Sequence, residues 1–255
     1  MSKNVRVKNK FKRLFWDIET SYNVVSTWNV GYDINVGHDN IIKERAIICI
    51  CFKWEGEKEV YSLQWNKGDD KQLLLDFIKI INEADESIGH NSDRFDVKWL
   101  RTRCAYHRIP TFPEYHSIDT LKLAKSGFRF NSNRLDYIGK FLGFGGKLDT
   151  GGFKLWQKIV EENDPKAMAE MIKYCKQDVV LLEKVFNVLN PYTKSRTHVG
   201  VHNGKDDCSC ANCGSQDTIL SKTRITAQGV LRRQMHCKKC GKYFVVSNTA
   251  YLNRK

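Results

Sequence analysis

Four acidic side chains and one phenol are the residues of this sequence whose types and spacing suit chemistry. Asp17 and Glu19 stand two apart in Phe15-Trp16-Asp17-Ile18-Glu19-Thr20. Alternate side chains of a strand point to opposite faces, so the two carboxylates share one face while Trp16 and Ile18 share the other. One face suits a metal site and the other a core. Asp96 closes the segment Asn91-Ser-Asp-Arg-Phe-Asp96, where a short strand passes into a helix whose N-terminus favours negative charge. Asp93 competes for that role and is the better N-cap candidate, because a short acid at such a turn accepts free helix N–H groups. Tyr174 and Asp178 are four apart on a long helix, hence on one face and about one turn from each other. Each piece alone is also what a solvated strand or helix carries. Together they supply the acids that a site for two divalent ions needs.

Thiols form a second constellation. Cys210-Ala-Asn-Cys213-Gly and Cys237-Lys-Lys-Cys240-Gly repeat one spacing, and the glycine after each pair permits the tight turn that aims both sulfurs at one ion. Four thiolates suit one tetrahedral, structural Zn²⁺, without which so small a module would hardly fold. Cys208 and His236 are spare ligand candidates, with a slip from Cys210 to Cys208 the main alternative. Cys49, Cys51, Cys104 and Cys175 lie in apolar runs and read as reduced core residues.

The elements that must position these groups follow from periodicity. Ala46 to Trp54 and Lys58 to Trp65 read as strands forming a meander with the first. Between them and the first strand, Tyr22 to Arg45 reads as a loop or irregular hairpin, in which Trp28 and Tyr32 either stack on a base or pack beneath the loop. Leu73, Leu74, Phe77, Ile78 and Ile81 predict an amphipathic helix over Asp70 to Ala84. A strand is expected from Ser87 to His90, a helix through Val97, Leu100 and Cys104, a strand running into a helix from Glu114 to Leu123, and a helix from Arg134 to Leu142 ended by Gly143. Pro165 opens the last long helix, Lys166 to Leu189.

Length and charge limit what these groups serve. The chain has 255 residues, 41% hydrophobic, and a formal net charge of +13. Met1 to Arg13 holds six Lys or Arg and no acid, and Pro191 onward holds twelve against three acids. A nearly neutral body between two basic ends suits a grip on a polyanion, nucleic acid above all; a solvated tail kept for solubility is the plain alternative. The N-terminus has no apolar stretch of signal-peptide length, and no run reaches the roughly 18 apolar residues of a spanning helix. The expectation is therefore a soluble, intracellular protein with no membrane role. Residues 1–190 are expected to be one domain with a basic tail over 1–13, followed by a polar linker, 191–207, and a ribbon, 208–255.

Phe15 to Thr20, Asn91 to Asp96 and Tyr174-Cys-Lys-Gln-Asp178 resemble, in order and separation, the three motifs of DEDDy 3′-5′ exonucleases. The likeness is to the proofreading exonuclease domain of family B DNA polymerases, over about residues 12 to 190, with Ser117-Ile-Asp-Thr-Leu and Arg134 to Gly143 similar to intervening segments. Lys173 stands where the sister DEDDh group has histidine. The resemblance implies an α/β, RNase H-like mixed sheet flanked by helices, and hydrolysis from the 3′ end with two Mg²⁺ or Mn²⁺ ions. It implies that Asp17 bridges both ions, that Glu19 and Asp178 complete the site of the nucleophilic water, that Asp96 serves the second ion, and that Tyr174 orients the water. Asn91 and Phe95 are expected at the terminal nucleotide. No polymerase palm or fingers fits in what remains, so a free-standing nuclease is expected. Its expected substrate is DNA; an exoribonuclease and a catalytically silent nucleic-acid adaptor are the alternatives.

The tail resembles the zinc ribbons of some transposase accessory proteins, in which Gly229, Arg232, Arg233 and Phe244 take matching places. Lys222, Arg224, Arg232, Arg233, Lys238 and Lys239 are candidate phosphate contacts, and a protein partner through the ribbon is the other possibility.

Overall fold

The structure, a computed structural model, describes residues 10–31, 33–111, 114–146 and 152–254. These fall into two compact units, one of Arg13–Leu121 and Ser132–Lys184, the other of the remaining described residues, 10–12, 122–131 and 185–254. The elements, in chain order, are β1 (Arg13–Thr20), β2 (Val24–Val25), β3 (Ile41–Lys43), β4 (Ile47–Trp54), β5 (Tyr61–Gln64), α1 (Lys71–Ile81), β6 (Glu86–Gly89), α2 (Asp96–Tyr106), β7 (Ser117–Asp119), α3 (Thr120–Gly127), α4 (Leu135–Phe141), α5 (Phe153–Val160), α6 (Pro165–Leu189), α7 (Val199–His202), β8 (Thr218–Ile225), β9 (Leu231–Cys237), β10 (Tyr243–Ser247) and α8 (Asn248–Leu252). Among the described residues no helix is long and apolar enough to cross a membrane.

The larger unit is built on a five-stranded mixed sheet in the order β5-β4-β1-β6-β7. β1, β4 and β5 form the expected antiparallel meander, while β6 and β7 join in parallel, as a strand, crossover helix, strand unit requires. Leu14, Trp16 and Ile18 of β1 enter a buried cluster with Ile47, Ile50 and Phe52 of β4 and the apolar residues of α1 and α2. Trp16 and Phe77 meet with ring centroids 5.0 Å apart; burying a side chain of this size contributes roughly 1.5–3 kcal/mol. The opposite face of the same strands is covered by α6, where Cys51 Sγ lies 3.8 Å from the Ile172 carbonyl. The strands are therefore covered on both faces. The expected irregular hairpin is present as β2 and β3, closed at its base where Ser21 N–H donates to the Ala46 carbonyl.

Of the three described basic residues in the expected tail, Lys10 and Lys12 are exposed, while Arg13 is used differently. Arg13 opens β1 and is 4% exposed, with Nε donating to Glu86 Oε2 at 2.7 Å and Nη1 to Glu55 Oε1 at 3.0 Å. The register Arg13↔Glu86 across β1 and β6 brings the pair together. A residue so engaged is a buried ion pair of the sheet and offers nothing to a polyanion. Residues 1–9 of that stretch lie outside the described residues.

The smaller unit holds a three-stranded antiparallel sheet, β10-β9-β8. The stretch expected as a linker carries α7, whose Val199 N–H donates to the Ala211 carbonyl at 3.0 Å. Lys242, 1% exposed, donates from Nζ to the Asn190 carbonyl at 2.9 Å, placing a cation where the last carbonyls of α6 need donors. The polar composition of 191–207 thus serves hydrogen bonds within a folded unit.

Candidate metal centre

The alternation of β1 places Asp17 and Glu19 on the face covered by α6, opposite Cys51 and Cys49 of β4. Asp178, 1% exposed on α6, comes to the same place. Carboxylate oxygens of Asp17, Glu19 and Asp178 all lie within 4.8 Å of one another. Asp96, at the first turn of α2, is oriented separately: its Oδ1 accepts the Ile18 N–H at 3.1 Å. It stands outside the group of three, yet its charge acts on Asp17. Burial, then Cys175, then Asp96, Glu19 and Asp178 push the Asp17 carboxyl well above the usual carboxylate range. Hard oxygen donors gathered until they repel fit a divalent cation such as Mg²⁺ or Mn²⁺.

Beneath the carboxylates lies a thiol layer. Cys49, Cys51 and Cys175 are buried and reduced, with sulfurs within 4.8 Å of one another. Cys175 Sγ is 3.6 Å from the Asp17 carbonyl and 3.8 Å from its Oδ2. Tyr174 is half-buried on α6 one turn before Asp178.

Around this centre several expectations change. Asp93 is no N-cap; the position before α2 is Phe95, without a side-chain cap. Its carboxylate instead accepts the Ser117 hydroxyl at 2.6 Å. Asn91 takes the left-handed conformation, φ 63°, and its N–H donates to Asp119 Oδ1 at 2.8 Å. Asp119 also accepts Leu121 N–H, so this buried acid pins the turn that leads to Asp96. It was legible only as part of Ser117-Ile-Asp-Thr-Leu. Phe95 packs against the α1/α2 core. Trp28 neither packs beneath its loop nor stacks on a described ring, being fully exposed; Tyr32 lies outside the described residues.

Sequence reasoning missed α5 and what it builds. Thr20, Tyr22, Arg45, Phe153 and Trp156 line a cleft of about 370 Å³ at the end of β1. Trp156 Nε1 donates to the Thr20 carbonyl at 3.1 Å, and Tyr22 lies against Phe153 at 4.8 Å. The signal was the spacing of Phe153, Trp156 and Val160 in Phe-Lys-Leu-Trp-Gln-Lys-Ile-Val, an amphipathic pattern one helix long.

The second candidate centre is in the smaller unit. Cys210, Cys213, Cys237 and Cys240 converge, with Sγ separations of 3.5 Å for Cys210 and Cys240 and 3.7 Å for Cys213 and Cys237. Tetrahedral thiolates at about 2.3 Å from Zn²⁺ stand about 3.8 Å apart, so the donor set fits. Gly214 and Gly241 take positive φ of 67° and 74° directly after each pair, which lets Gly214 N–H reach the Cys210 carbonyl and Gly241 N–H the Cys237 carbonyl, both at 2.9 Å. Cys208 packs with Met235 and Val246 instead, and the His236 ring stacks on Tyr243 at 4.4 Å. Arg232 is exposed. Arg233 is held inside the unit, donating to Asn248 Oδ1 at 2.8 Å and to Thr223 Oγ1 at 2.6 Å, with its guanidinium over the Tyr251 ring.

Comparison with known proteins fits this geometry. The chain is 26% identical over 163 residues to DNA polymerase 120R of Invertebrate iridescent virus 3, covering 48% of this chain and 14% of that protein. Its fold matches the family B DNA polymerase of the hyperthermophilic archaeon Pyrobaculum calidifontis with a TM-score of 0.55 at 17% identity, over 71% of this chain and 25% of the polymerase. The chain thus spans a small part of each relative. A family profile described as RNase H superfamily matches residues 38–190, which include Asp96, Tyr174 and Asp178 and begin after Asp17 and Glu19. By that match, and by the mixed sheet with helices on both faces, the chain belongs to the RNase H superfamily.

Proposed function

We propose that this chain is a metal-dependent nuclease that removes nucleotides from the 3′ end of DNA. The observation that carries the reading is the gathering of Asp17, Glu19 and Asp178 within 4.8 Å, with Asp96 fixed beside them by the Ile18 amide. These four carboxylates would hold two Mg²⁺ or Mn²⁺ ions, and by the family resemblance Asp17 is the acid assigned to both. Bound there, the ions would supply an activated water and stabilise charge on the attacking and leaving oxygens of a phosphodiester. Tyr174 presents a phenol on the face of α6 that carries Asp178, where it would orient a water by hydrogen bonding. Asn91 and Phe95, and the cleft of Tyr22, Arg45, Phe153 and Trp156 at the end of β1, are assigned to the terminal nucleotide. Cys210, Cys213, Cys237 and Cys240 would hold a structural Zn²⁺, and the basic ribbon would help to hold substrate.

Matched 3′- and 5′-labelled DNA and RNA oligonucleotides, incubated with Mg²⁺, Mn²⁺ or EDTA, test the reading. The expected result is metal-dependent release of mononucleotides from the 3′ end, with DNA the better substrate. Internal cutting, release from the 5′ end, or activity in EDTA would overturn it.

A further inference from the structure

The strand register of the ribbon divides its basic residues between two faces. On one, Thr223, Arg233 and Val246 form a cross-strand row, and Leu220, Met235 and Phe244 another. At its β9 and β10 positions this face is covered: Met235 and Val246 pack with Cys208, Phe244, Ala250 and Tyr251, and Arg233 is tied to Asn248 and Thr223, whereas Leu220 and Thr223 of β8 are exposed. On the other face the rows are Arg224, Arg232 and Ser247, then Lys222, Gln234 and Val245, then Ile219, His236 and Tyr243. Arg224, Arg232 and Lys222 are exposed there. Tyr243 is 54% exposed and Val245 55%.

Two features of this outer face point to a ligand. Like charges directly opposite each other on adjacent strands destabilise a sheet, and Arg224 faces Arg232 in register; an anion bound between them offsets that repulsion. About 13 Å along β9, four residues at ~3.3 Å each, the Tyr243 and His236 rings stack at 4.4 Å with 22° between planes, a flat aromatic step open to solvent. Tyr243 and Val245 also border a cleft of about 1040 Å³ shared with Tyr192 and Lys194, which adds a second exposed aromatic and a further cation.

We propose that the Lys222, Arg224, Arg232 and Tyr243 face of the ribbon binds single-stranded nucleic acid, with phosphates on the basic rows and a base stacked on Tyr243. Single strands are favoured over duplex because only unpaired bases offer a free face for stacking, and a cationic surface interleaved with aromatics is what such strands need. The assignment rests on the nuclease reading for its ligand class, and goes beyond it in naming the face, the stacking residue and the preference for single strands.

The test is fluorescence anisotropy with single-stranded DNA, single-stranded RNA of the same sequence, and a duplex, using the full chain carrying Asp17→Asn so that the probe survives. Arg224→Ala combined with Arg232→Ala should weaken binding and lower the magnitude of the salt slope by about 0.7 per lost phosphate contact. Tyr243→Ala should weaken single-strand binding about 5- to 100-fold with the salt slope unchanged, and Tyr243→Phe should restore it. Melting curves of each variant control for folding. Whichever single strand binds more tightly identifies the sugar, and either result supports the face. Tighter binding to duplex, or folded variants that bind like their parent, would overturn it; persisting 3′ hydrolysis by the chain with Asp17 intact would then leave the nuclease reading standing. If the parent binds no nucleic acid and the unsubstituted chain hydrolyses none, both fall together.

Discussion

Asp17 and Asp70 belong to the same unit, and their surroundings are opposite. Asp70 is fully buried before α1 and accepts Arg103 Nε at 2.8 Å, Arg103 Nη2 at 2.9 Å, His107 Nε2 at 2.7 Å and the Ile47 amide at 3.0 Å. Burial opposes its charge, but Arg103, the Ile47 amide and His107 outweigh it and hold the carboxyl below its ordinary range. Asp17 is pushed the other way, by burial and by Cys175, Asp96, Glu19 and Asp178. Both are acids near potential metal ligands: Asp69, Asp70 and His107 also cluster. The chain's own cations complete one group, whereas the other gathers negative charge. The lesson is that a carboxylate cluster marks a metal centre through its electrostatic balance, and proximity alone does not.

That contrast is broken most severely by Asp17→Asn. Removing the acid assigned to both ions should cost several kcal/mol of charge stabilisation, about 10³-fold in rate. Without divalent ions the same variant should melt no lower than its parent at neutral pH, because it relieves repulsion in the native state. A large fall in melting temperature would make Asp17 a structural acid like Asp70. Asp70→Asn should do the reverse, losing about 3–5 kcal/mol of stability by leaving Arg103 buried without its anion, with turnover per folded molecule intact. Its sign with pH follows: a lowered native pKa gives stability that is present above the ordinary carboxylate range and lost as pH falls through the lowered value. Urea unfolding from neutral to acid pH should therefore show a flatter acid limb for Asp70→Asn than for its parent. Smaller again, Tyr174→Phe should slow hydrolysis about 10- to 100-fold, the range of groups that orient a metal's ligands from outside. A loss as complete as that of Asp17→Asn would give the phenol a larger role.

Much of this contrast was legible along the chain and part of it was not. Period-two alternation in β1 separates Trp16 and Ile18 from Asp17 and Glu19 without reference to any partner, so the division between core and site follows from local geometry. Helical spacing does the same for Tyr174 and Asp178 and for α1. Partners distant in sequence are another matter. Arg13 reads as the end of a basic tail until β6 brings Glu86 beside it, and Asp70 reads as a helix-start acid until α2 delivers Arg103 and His107. Arg232 and Arg233 are equivalent by composition; only the register of β9 turns one to solvent and the other toward Tyr251. Trp28 shows the limit of hydrophobicity as a guide, since a large ring in a long loop is fully exposed.

The central claim, that the Asp17 cluster differs from the Asp70 cluster in holding divalent cations, is met most directly by Mn²⁺ titration calorimetry. The full chain, loaded with Zn²⁺ beforehand, should bind two Mn²⁺. Asp70→Asn should leave that stoichiometry unchanged at temperatures where it is folded, and Asp17→Asn should abolish or greatly weaken the binding. Equal Mn²⁺ binding by the parent and Asp17→Asn would contradict the account.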